Sequence, residues 1–591
     1  MQTFLANKAA GFLKSSYNVD LSIEGVQVIL PNKIILTNVY IPDEHNDTLI
    51  FATEIDFSFR NFSGEKNRLE TGHIGLRKAK LYLRKLPQDS VYNFLTFTRK
   101  FASENPDTTG PEFSMYASRI EVEHMHFIKE PVGCDSCTVL NWESCNLDVS
   151  DFRLEDGEFV TATIHQMQYE DTDRFSLKRF KAKAAYQPQF MELEDLEFTT
   201  TQSHVEGKAR LDYASIDDFD DFLNKVSINA EFIDSKLQSD EFRMFIPEYP
   251  NLGLVAIDGK AKGPVNDLKT ENISIEYGER TSFFGSVDLE NVTEVDHIYL
   301  DGNIGYFRTT RDEANDLYYA LFGTRIPEQL PALDQLSLTG HYTGSLESFE
   351  ARGRAETNLG KFSTDLILHD LDDPKNVTYD GNLTLESFEL GELLEDDILG
   401  RVSLKGKVKG RSFLPENAEA DMDIAVSQLQ FKGYDYKNLT VDGNAANGAF
   451  KGILKIKDPN LDLDFDGDFV MVEDSNRFDF QASVNYWDLF ATHFTDDSIS
   501  VVTTRMDVDF TGKDLSNYSG NIHIEEATYE TGMRFYFFNE ILIRNRLAGE
   551  ERELKVESEL LSARLSGQYN LVELSDVMEQ YFQTQFLKPD E

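Results

Sequence analysis

The stretch Leu336-Ser-Leu338-Thr-Gly340 shows the pattern that decides the fold of this chain. Two apolar residues stand two positions apart with a polar residue between them, and a polar residue and a glycine follow. Because successive side chains of a strand point to opposite faces, this alternation predicts a strand with one apolar and one polar face. The same pattern occurs at residues 255–259, 402–406 and 508–512. Its return at intervals of tens of residues predicts a long sheet built from repeated units.

The composition narrows the classes of partner. The 591 residues include 57 Lys and Arg against 104 Asp and Glu, a formal net charge of −47. Proteins that bind nucleic acid need a basic face to neutralise phosphates, so we expect no nucleic-acid partner. The 44 Phe and 24 Tyr suit a pleated sheet and supply a large apolar surface. Acidic residues on the opposite, solvated face would keep such a sheet soluble, and we expect a monomer.

Residues 1–17 predict a short amphipathic helix. Its apolar stripe consists of Phe4, Leu5, Ala9, Phe12 and Leu13. An open sheet end exposes apolar side chains and unpaired backbone groups, so we expect this helix to cap the sheet. The segment lacks the continuous apolar core of a signal peptide, and no stretch of the chain approaches the ~20 apolar residues of a membrane span.

Alternating segments follow almost without interruption and predict two lengths of sheet, at residues 18–250 and 251–591. A polar, Pro-containing run at 102–112 and the Pro-containing run at 245–250 are the candidate joints. A few peripheral helices are expected where apolar residues have helical spacing. These positions lie around Phe94, Phe222, Leu317, Leu390 and Val577.

The cysteines allow two interpretations. Cys134, Cys137 and Cys145 lie close together in sequence, downstream of His124 and His126, as in an H-x-H and C-x₂-C metal site. That spacing matches no standard zinc module, and the first histidine continues a strand-like alternation from residues 120 and 122. We therefore predict one incidental disulfide with a free thiol, or three reduced thiols, and no metal site.

Residues 462–473 match the spacing of an EF-hand calcium loop. The matching positions are Asp462, Asp464, Asp466, Gly467 and Glu473. An EF-hand loop lies between two helices, whereas the flanks at 451–457 and 469–472 alternate as strands do. Leu461, Leu463 and Phe465 also alternate with the aspartates. We predict a half-buried strand, with calcium binding as the alternative.

Catalytic motifs are absent from the sequence. It contains no G-x-S-x-G, no H-E-x-x-H and no G-x-x-x-x-G-K-[ST]. Carboxylate pairs are frequent in so acidic a chain and therefore carry little information on glycoside chemistry. We predict that the protein is not an enzyme and uses no cofactor.

Several short stretches follow one another in a fixed order along the chain. The first are residues 19–23, Gly25-Val26 and the run IILTNVYIPD at 34–43. The later ones are 245–247 (FIP), 259–263 (GKAKG), 357–360 (TNLG), 456–460 (IKDPN), 554–558 (LKVES) and 565–567 (LSG). In this order they resemble the AsmA-like family and, within it, the TamB branch (translocation and assembly module subunit) in its Bacteroidota form, over nearly the whole chain.

This resemblance implies a taco-like antiparallel β-groove with an apolar interior. It also implies a periplasmic protein that is anchored in the inner membrane and connected to an outer-membrane barrel partner through a C-terminal domain. No anchor helix precedes Gln2 and the chain stops at Glu591 without that domain. We interpret the chain as a fragment in which barrel binding is in doubt.

Residues and resemblance together predict an open apolar trough that shields phospholipid acyl chains between two membranes, at roughly 0.8 kcal/mol per buried methylene. The candidate lining residues are Ile55, Phe57, Phe59, Leu81, Leu83, Leu338, Leu404, Val441 and Phe465. A shift of one residue would move a whole set to the opposite face.

Two alternatives of other classes stay open. A sheet edge could template strands of outer-membrane proteins by β-augmentation, which would make the protein an assembly scaffold. Alternatively, an extracellular acidic β-solenoid could bind calcium or glycan. Lipid that copurifies with the protein favours the trough, edge mutations that block client folding favour the scaffold, and calcium-dependent stability favours the solenoid.

Overall fold

The computed structural model describes Val19–Gln568 with several breaks, and Lys14 in addition. The breaks lie at residues 64–65, 86–91, 100–112, 132–138, 172–174, 243–250, 293, 295–296, 327–333, 395, 413, 415–416, 447, 473–474, 513–517, 533 and 549–550. Strands make up 74% of the described residues and helices 8%, which confirms the prediction of a mostly β protein. The predicted capping stripe, the two predicted joints and the helix expected near Val577 lie outside the described residues.

Contacts divide the chain into two units. The first comprises Met1–Ile298 and Asp312–Ile326, and the second comprises Tyr299–Arg311 and Pro327–Glu591. The division predicted at residue 250 falls within a break of the description and stays a prediction.

The first unit contains fourteen described strands, β1 to β14. Their bounds are Ser22–Ile29, Lys33–Pro42, Thr48–Ser63, Arg68–Lys85, Ser114–Pro131, Leu140–Glu155, Phe159–Asp171, Leu177–Gln187, Phe190–Thr199, His204–Asp212, Ser227–Gln238, Leu254–Gly263, Asp267–Tyr277 and Thr281–Glu290. Each strand is hydrogen-bonded to the next in sequence. Because nearest neighbours in sequence are nearest neighbours in space, short turns join most of them.

One pair in this sheet departs from the predicted antiparallel order. Strands β4 and β5 are parallel, with Arg68 opposite Ser114 and Lys85 opposite Pro131. A parallel pair needs a long crossover connection, and the segment between these strands contains helix α1, Asn93–Arg99. The other described pairs of the first unit are antiparallel, as predicted.

The second unit contains sixteen described strands, β15 to β30. Their bounds are Tyr299–Thr310, Gln335–Ser345, Phe349–Thr357, Gly360–His369, Thr378–Glu389, Leu399–Arg411, Glu419–Phe431, Tyr434–Ala446, Ala449–Asp458, Leu461–Val472, Ser475–Asp488, Ser500–Gly512, Tyr518–Thr531, Arg534–Ala548, Glu551–Ser558 and Ser562–Gly567. They form an antiparallel meander in sequence order. Among the described pairings none joins the first strand of either unit to its last, so each sheet is open.

The remaining helices are short and peripheral, as predicted. A 3₁₀ turn (Ile216–Asp221) runs into α2 (Phe222–Lys225), and α3 (Ser239–Phe242), α4 (Arg311–Phe322) and α5 (Leu390–Leu394) follow. Glu313 in the first turn of α4 accepts hydrogen bonds from the backbone of Glu279 and from the Thr281 hydroxyl at 2.9 and 2.6 Å, which ties this helix to the β13–β14 turn. Among the described residues no helix is both long and apolar enough to span a membrane.

β-Bulges recur along both sheets. At Asp234 the backbone takes a φ of 44°, and the pairing of β11 with β12 shifts between Phe232 and Ser235. Ser387 takes a similar left-handed conformation, with a φ of 48°, where the pairing of β19 with β20 shifts between Leu385 and Phe388. A bulge bends its strand and increases the local twist, so a series of them curves a sheet.

The predicted continuation of the alternation through His124 is wrong. This residue has a φ of 53° and lies at a bulge, where the pairing of β5 with β6 shifts between Val122 and Met125. A bulge cannot be recognised in a period-two pattern, because no particular residue type identifies the extra residue.

Candidate functional site

A continuous apolar surface crosses the second sheet in rows of cross-strand partners. Directly paired residues of neighbouring strands lie on the same face, so a row of partners defines that face. One row consists of Leu338, Ala355, Phe362, Leu385, Leu404, Val426, Leu439, Ile456, Leu463 and Val484. A second row beside it consists of Ile424, Val441, Leu454, Phe465, Ala482, Met506, Ile524 and Ile541. We call the surface that these rows form the apolar face.

The opposite face of the same strands is polar. Its matching row consists of Thr384, Lys405, Ala425, Thr440, Lys455 and Asp464. Ion pairs link neighbouring strands there, for example Lys409 with Asp380 at 3.0 Å and Arg352 with Asp365 at 3.0 Å. The charged side chains of this row and of these ion pairs therefore lie on the side away from the apolar rows.

Only part of the apolar face has protein packed over it in the described structure. Val426, Leu439 and Ile456 belong to a buried cluster against which Leu390 and Leu393, from α5, are packed. At the same margin the Trp487 indole N–H donates a 2.9 Å hydrogen bond to Thr492. Leu404 is half-buried and packs against the same cluster. Leu338, Val441 and Phe465 are half-buried without belonging to it.

Aromatic side chains line the other margin of this face. The rings of Phe478 and Phe510 lie 4.7 Å apart, and those of Phe450 and Phe469 lie 5.5 Å apart. Between this margin and the central rows, Gly443 and Gly467 both pair with Gly452. Glycines leave the surface low at that point, because they have no side chain to fill it.

The first sheet has an equivalent apolar row. It consists of Leu36, Ile55, Leu76, Val122, Leu147, Met167, Phe180, Phe198 and Val205. A local cluster covers part of it: Cys145, Tyr169, Phe175 and Leu177 are buried there, with Met167, Phe180 and Phe198 packed against them. The row stays apolar where it crosses the parallel β4–β5 pair, since Leu76 lies opposite Val122.

The structure places most of the predicted lining residues in these rows. Leu338, Leu404, Val441 and Phe465 lie on the apolar face of the second sheet, and Ile55 and Phe57 lie on that of the first. The remaining three lie nearer the strand ends. Leu81 pairs with Ile50 and Phe127, Leu83 pairs with Lys129, and Phe59 lies past a bulge and is 40% exposed.

Sequence reasoning missed several members of the rows, including Val426, Leu439 and Ile456. Each belongs to an alternating segment, so the apolar signal was present in the sequence. What was missing is the register, which decides which residue of one strand stands beside which residue of the next.

A buried carboxylate occupies the polar face of the first sheet. Asp56 has no exposed side-chain surface and lies 2.8 Å from Arg77 Nη1, 3.0 Å from Lys33 Nζ and 3.4 Å from His73 Nε2. Burial acts to raise the pKa of Asp56, but the hydrogen bonds and charges of Lys33, His73 and Arg77 hold it below its ordinary value. The group stabilises three strands through one ionised side chain.

The predicted strand at the calcium-like sequence is confirmed. Strand β24 runs through Leu461–Val472 and pairs with strands on both sides. Lys457 Nζ lies 2.6 Å from Asp462 and 3.1 Å from Asp464, so a lysine already neutralises these carboxylates. This arrangement does not favour calcium.

The cysteine region is only partly described. Cys145 is 1% exposed, and burial raises the pKa of its thiol to about 11, which favours the unreactive protonated form. Cys134 and Cys137 lie outside the described residues. His126 Nε2 is 2.7 Å from the side-chain oxygen of Asn141.

Comparisons of the chain with protein-family models, curated proteins and solved structures find no match. The basis for a proposed function is therefore the pair of open sheets, each with an apolar and a polar face.

Proposed function

We propose that the apolar face holds phospholipid acyl chains and that the protein is a conduit for lipids between two membranes. The observation that supports this most is the continuity of the apolar rows together with the half-buried state of several of their members, among them Leu338, Val441 and Phe465. An apolar row that served only as a core would be covered along its whole length. Full burial of a Leu side chain contributes roughly 1.5–3 kcal/mol to the stability of the fold, and a half-exposed Leu loses part of this contribution.

The dimensions of the second sheet suit this role. Strands lie ~4.8 Å apart, so sixteen strands extend about 70 Å along the sheet. One leaflet of a bilayer accounts for about half of the ~30 Å hydrocarbon core. The apolar rows are thus several acyl chains long, and a chain could move from strand to strand while its headgroup stays in water.

The resemblance to the AsmA-like family supports the same proposal. It would place the protein in the periplasm, anchored to the inner membrane and connected to an outer-membrane barrel partner, where such a conduit would support outer-membrane biogenesis. We propose no catalytic step, because passage along a continuous apolar surface needs none.

Paired photo-crosslinking would test the conduit directly. A photoreactive residue at Leu404 would lie on the apolar face, and one at its neighbour Lys405 would lie on the polar face. We expect lipid adducts at position 404 only, together with phospholipid in organic extracts of gently purified protein. Equal adducts at both positions, or extracts free of lipid, would contradict the proposal.

The scaffold hypothesis retains one specific observation. Strand β30 pairs with β29, and in the described residues no strand lies on its other side, so its backbone could accept a client strand. Proline at Arg564 would remove a backbone N–H from this strand. A loss of client folding with normal lipid adducts at position 404 would favour the scaffold.

A further inference from the structure

We propose that one end of the first sheet binds the headgroup region of a membrane that contains anionic lipid. This surface belongs to the first sheet, where Val28 lies in the same row as Phe57, and its binding can be measured whether or not the apolar face of the second sheet carries lipid. We call it the basic tip. It is formed by the ends of two neighbouring hairpins, with the residues Val28, Ile29, Leu30, Lys33, Phe59, Arg60, Phe62, Lys66 and Arg68.

The apolar part of the tip is unusually exposed. Leu30, in the turn between β1 and β2, is 85% exposed, and Phe62 on β3 is 56% exposed. A hydrogen bond of 2.9 Å from the Phe59 backbone N–H to the Asn32 carbonyl holds the two hairpin ends together. Exposed Leu and Phe at adjoining turns can enter the boundary between headgroups and acyl chains, as the apolar faces of interfacial helices do.

The charge around these residues has the opposite sign to that of the whole chain. Residues 57–68, which form the end of the second hairpin, contain three Lys and Arg against one Asp or Glu, in a protein with a net charge of −47. At the tip, Arg60 and Lys66 are exposed, whereas Lys33 and Arg68 are paired with Asp56 at 3.0 Å and with Glu70 at 3.1 Å. Acidic residues return at the next turn along the sheet, with Asp156 and Glu158, so the positive surface is confined to the two hairpins.

The short range of electrostatic interactions in salt solution explains how so acidic a protein could approach an anionic surface. At physiological ionic strength the Debye length is about 8 Å, so charges further away are largely screened. The tip cations would therefore respond to lipid phosphates, while the acidic residues elsewhere contribute little. The combination of exposed apolar and basic side chains specifies a lipid interface, because a cationic patch alone would also suit soluble anions.

Vesicle flotation with charge-reversed variants would test the proposal. Arg60→Glu/Lys66→Glu changes the tip, and Lys405→Glu/Lys455→Glu makes the same change of net charge at two exposed positions of the polar face of the second sheet. On vesicles of phosphatidylglycerol and phosphatidylcholine we expect the tip variant to bind at least about tenfold more weakly than the parent, and the control variant to bind as the parent does. Binding of the parent should fall with added salt and be weak on pure phosphatidylcholine.

Leu30→Trp would report insertion independently of charge. The fluorescence of the introduced indole should shift to the blue and be quenched by brominated acyl chains when anionic vesicles are added. Equal binding of the parent to both kinds of vesicle, equal losses in the tip and control variants, or an unquenched indole signal from the Leu30→Trp variant would overturn the proposal. If these tests fail while lipid adducts form normally at position 404, the conduit proposal stands and the tip proposal is wrong. If the tip binds vesicles but no lipid adducts form at position 404, the tip proposal stands and the conduit proposal is wrong.

Discussion

The two faces of the second sheet differ completely in chemistry across a single peptide step. Leu404 lies among Leu385 and Val426, while Lys405 lies between Thr384 and Ala425. The two residues are adjacent in strand β20, and the backbone around both is hydrogen-bonded to the same neighbouring strands. The difference between them therefore isolates what the face contributes, and it shows that one strand can present an apolar surface and a solvated charged surface at once.

The largest effect is expected from placing a charge on the apolar face. Leu338→Asp should abolish lipid adducts beyond that position, because an ionised carboxylate desolvated against acyl chains costs several kcal/mol. The fold should survive, since Leu338 is only half-buried and its truncation costs about 1–2 kcal/mol. The measurements are photo-crosslinking and thermal melting.

Thr339→Asp is the matched control for this prediction. Thr339 is exposed on the polar face opposite Arg354, so the new carboxylate stays in water beside a cation. We expect lipid adducts as in the parent. Normal adducts in both variants, or a loss in the control alone, would mean that the apolar face does not carry the lipid.

The polar face should have its own weak point at Asp56. Asp56→Asn removes the charge that Lys33, His73 and Arg77 surround, and it should lower the free energy of unfolding by about 2 kcal/mol at neutral pH. Because the pKa of Asp56 is lowered in the folded state, its contribution is present above the unfolded value of about 3.9 and is lost as pH falls through the folded value.

Denaturant titration at several pH values checks this sign. The difference between the parent and Asp56→Asn should shrink as the pH is lowered from 7 toward 3. An exposed carboxylate of the second unit, replaced in Asp442→Asn, serves as the control and should show a small, nearly constant difference. A difference for Asp56→Asn that grew in acid would contradict the assigned charge state.

A smaller effect is expected at Gly340, which lies close to the backbone of the neighbouring strand. Gly340 has a φ of 151°, and a Cβ built there would lie 2.3 Å from the carbonyl oxygen of Arg352. Gly340→Ala should therefore destabilise the second unit by about 1–2 kcal/mol. Gly532→Ala, where a Cβ would meet nothing within 4 Å, should change the melting temperature little. Equal effects of the two substitutions would show that the close approach at Gly340 does not matter.

The faces could be predicted from the sequence because alternation is a local property. Leu338 and Leu404 each stand in a five-residue alternating segment, and their cross-strand partners Ala355 and Val426 are apolar. The parallel β4–β5 pair, the bulge at His124 and the burial of Asp56 could not be predicted in this way, because they depend on register and on contacts between distant segments. The same local signal resolved the calcium-like sequence, where spacing and alternation disagreed.

That disagreement provides the smallest expected effect. A strand presents only alternate residues on one face, whereas an EF-hand loop wraps six or more oxygen ligands around the ion. Asp462 and Asp464 lie on such a strand and share Lys457, so a calcium ion would have to displace an existing ion pair. We expect millimolar calcium to leave the melting temperature of the parent and of Asp464→Ala unchanged within about 1 °C, since a ligand that does not bind the native state cannot stabilise it. A micromolar site in calorimetry that disappears in Asp464→Ala would contradict this prediction, because it would show that the carboxylates of the polar face can rearrange around an ion.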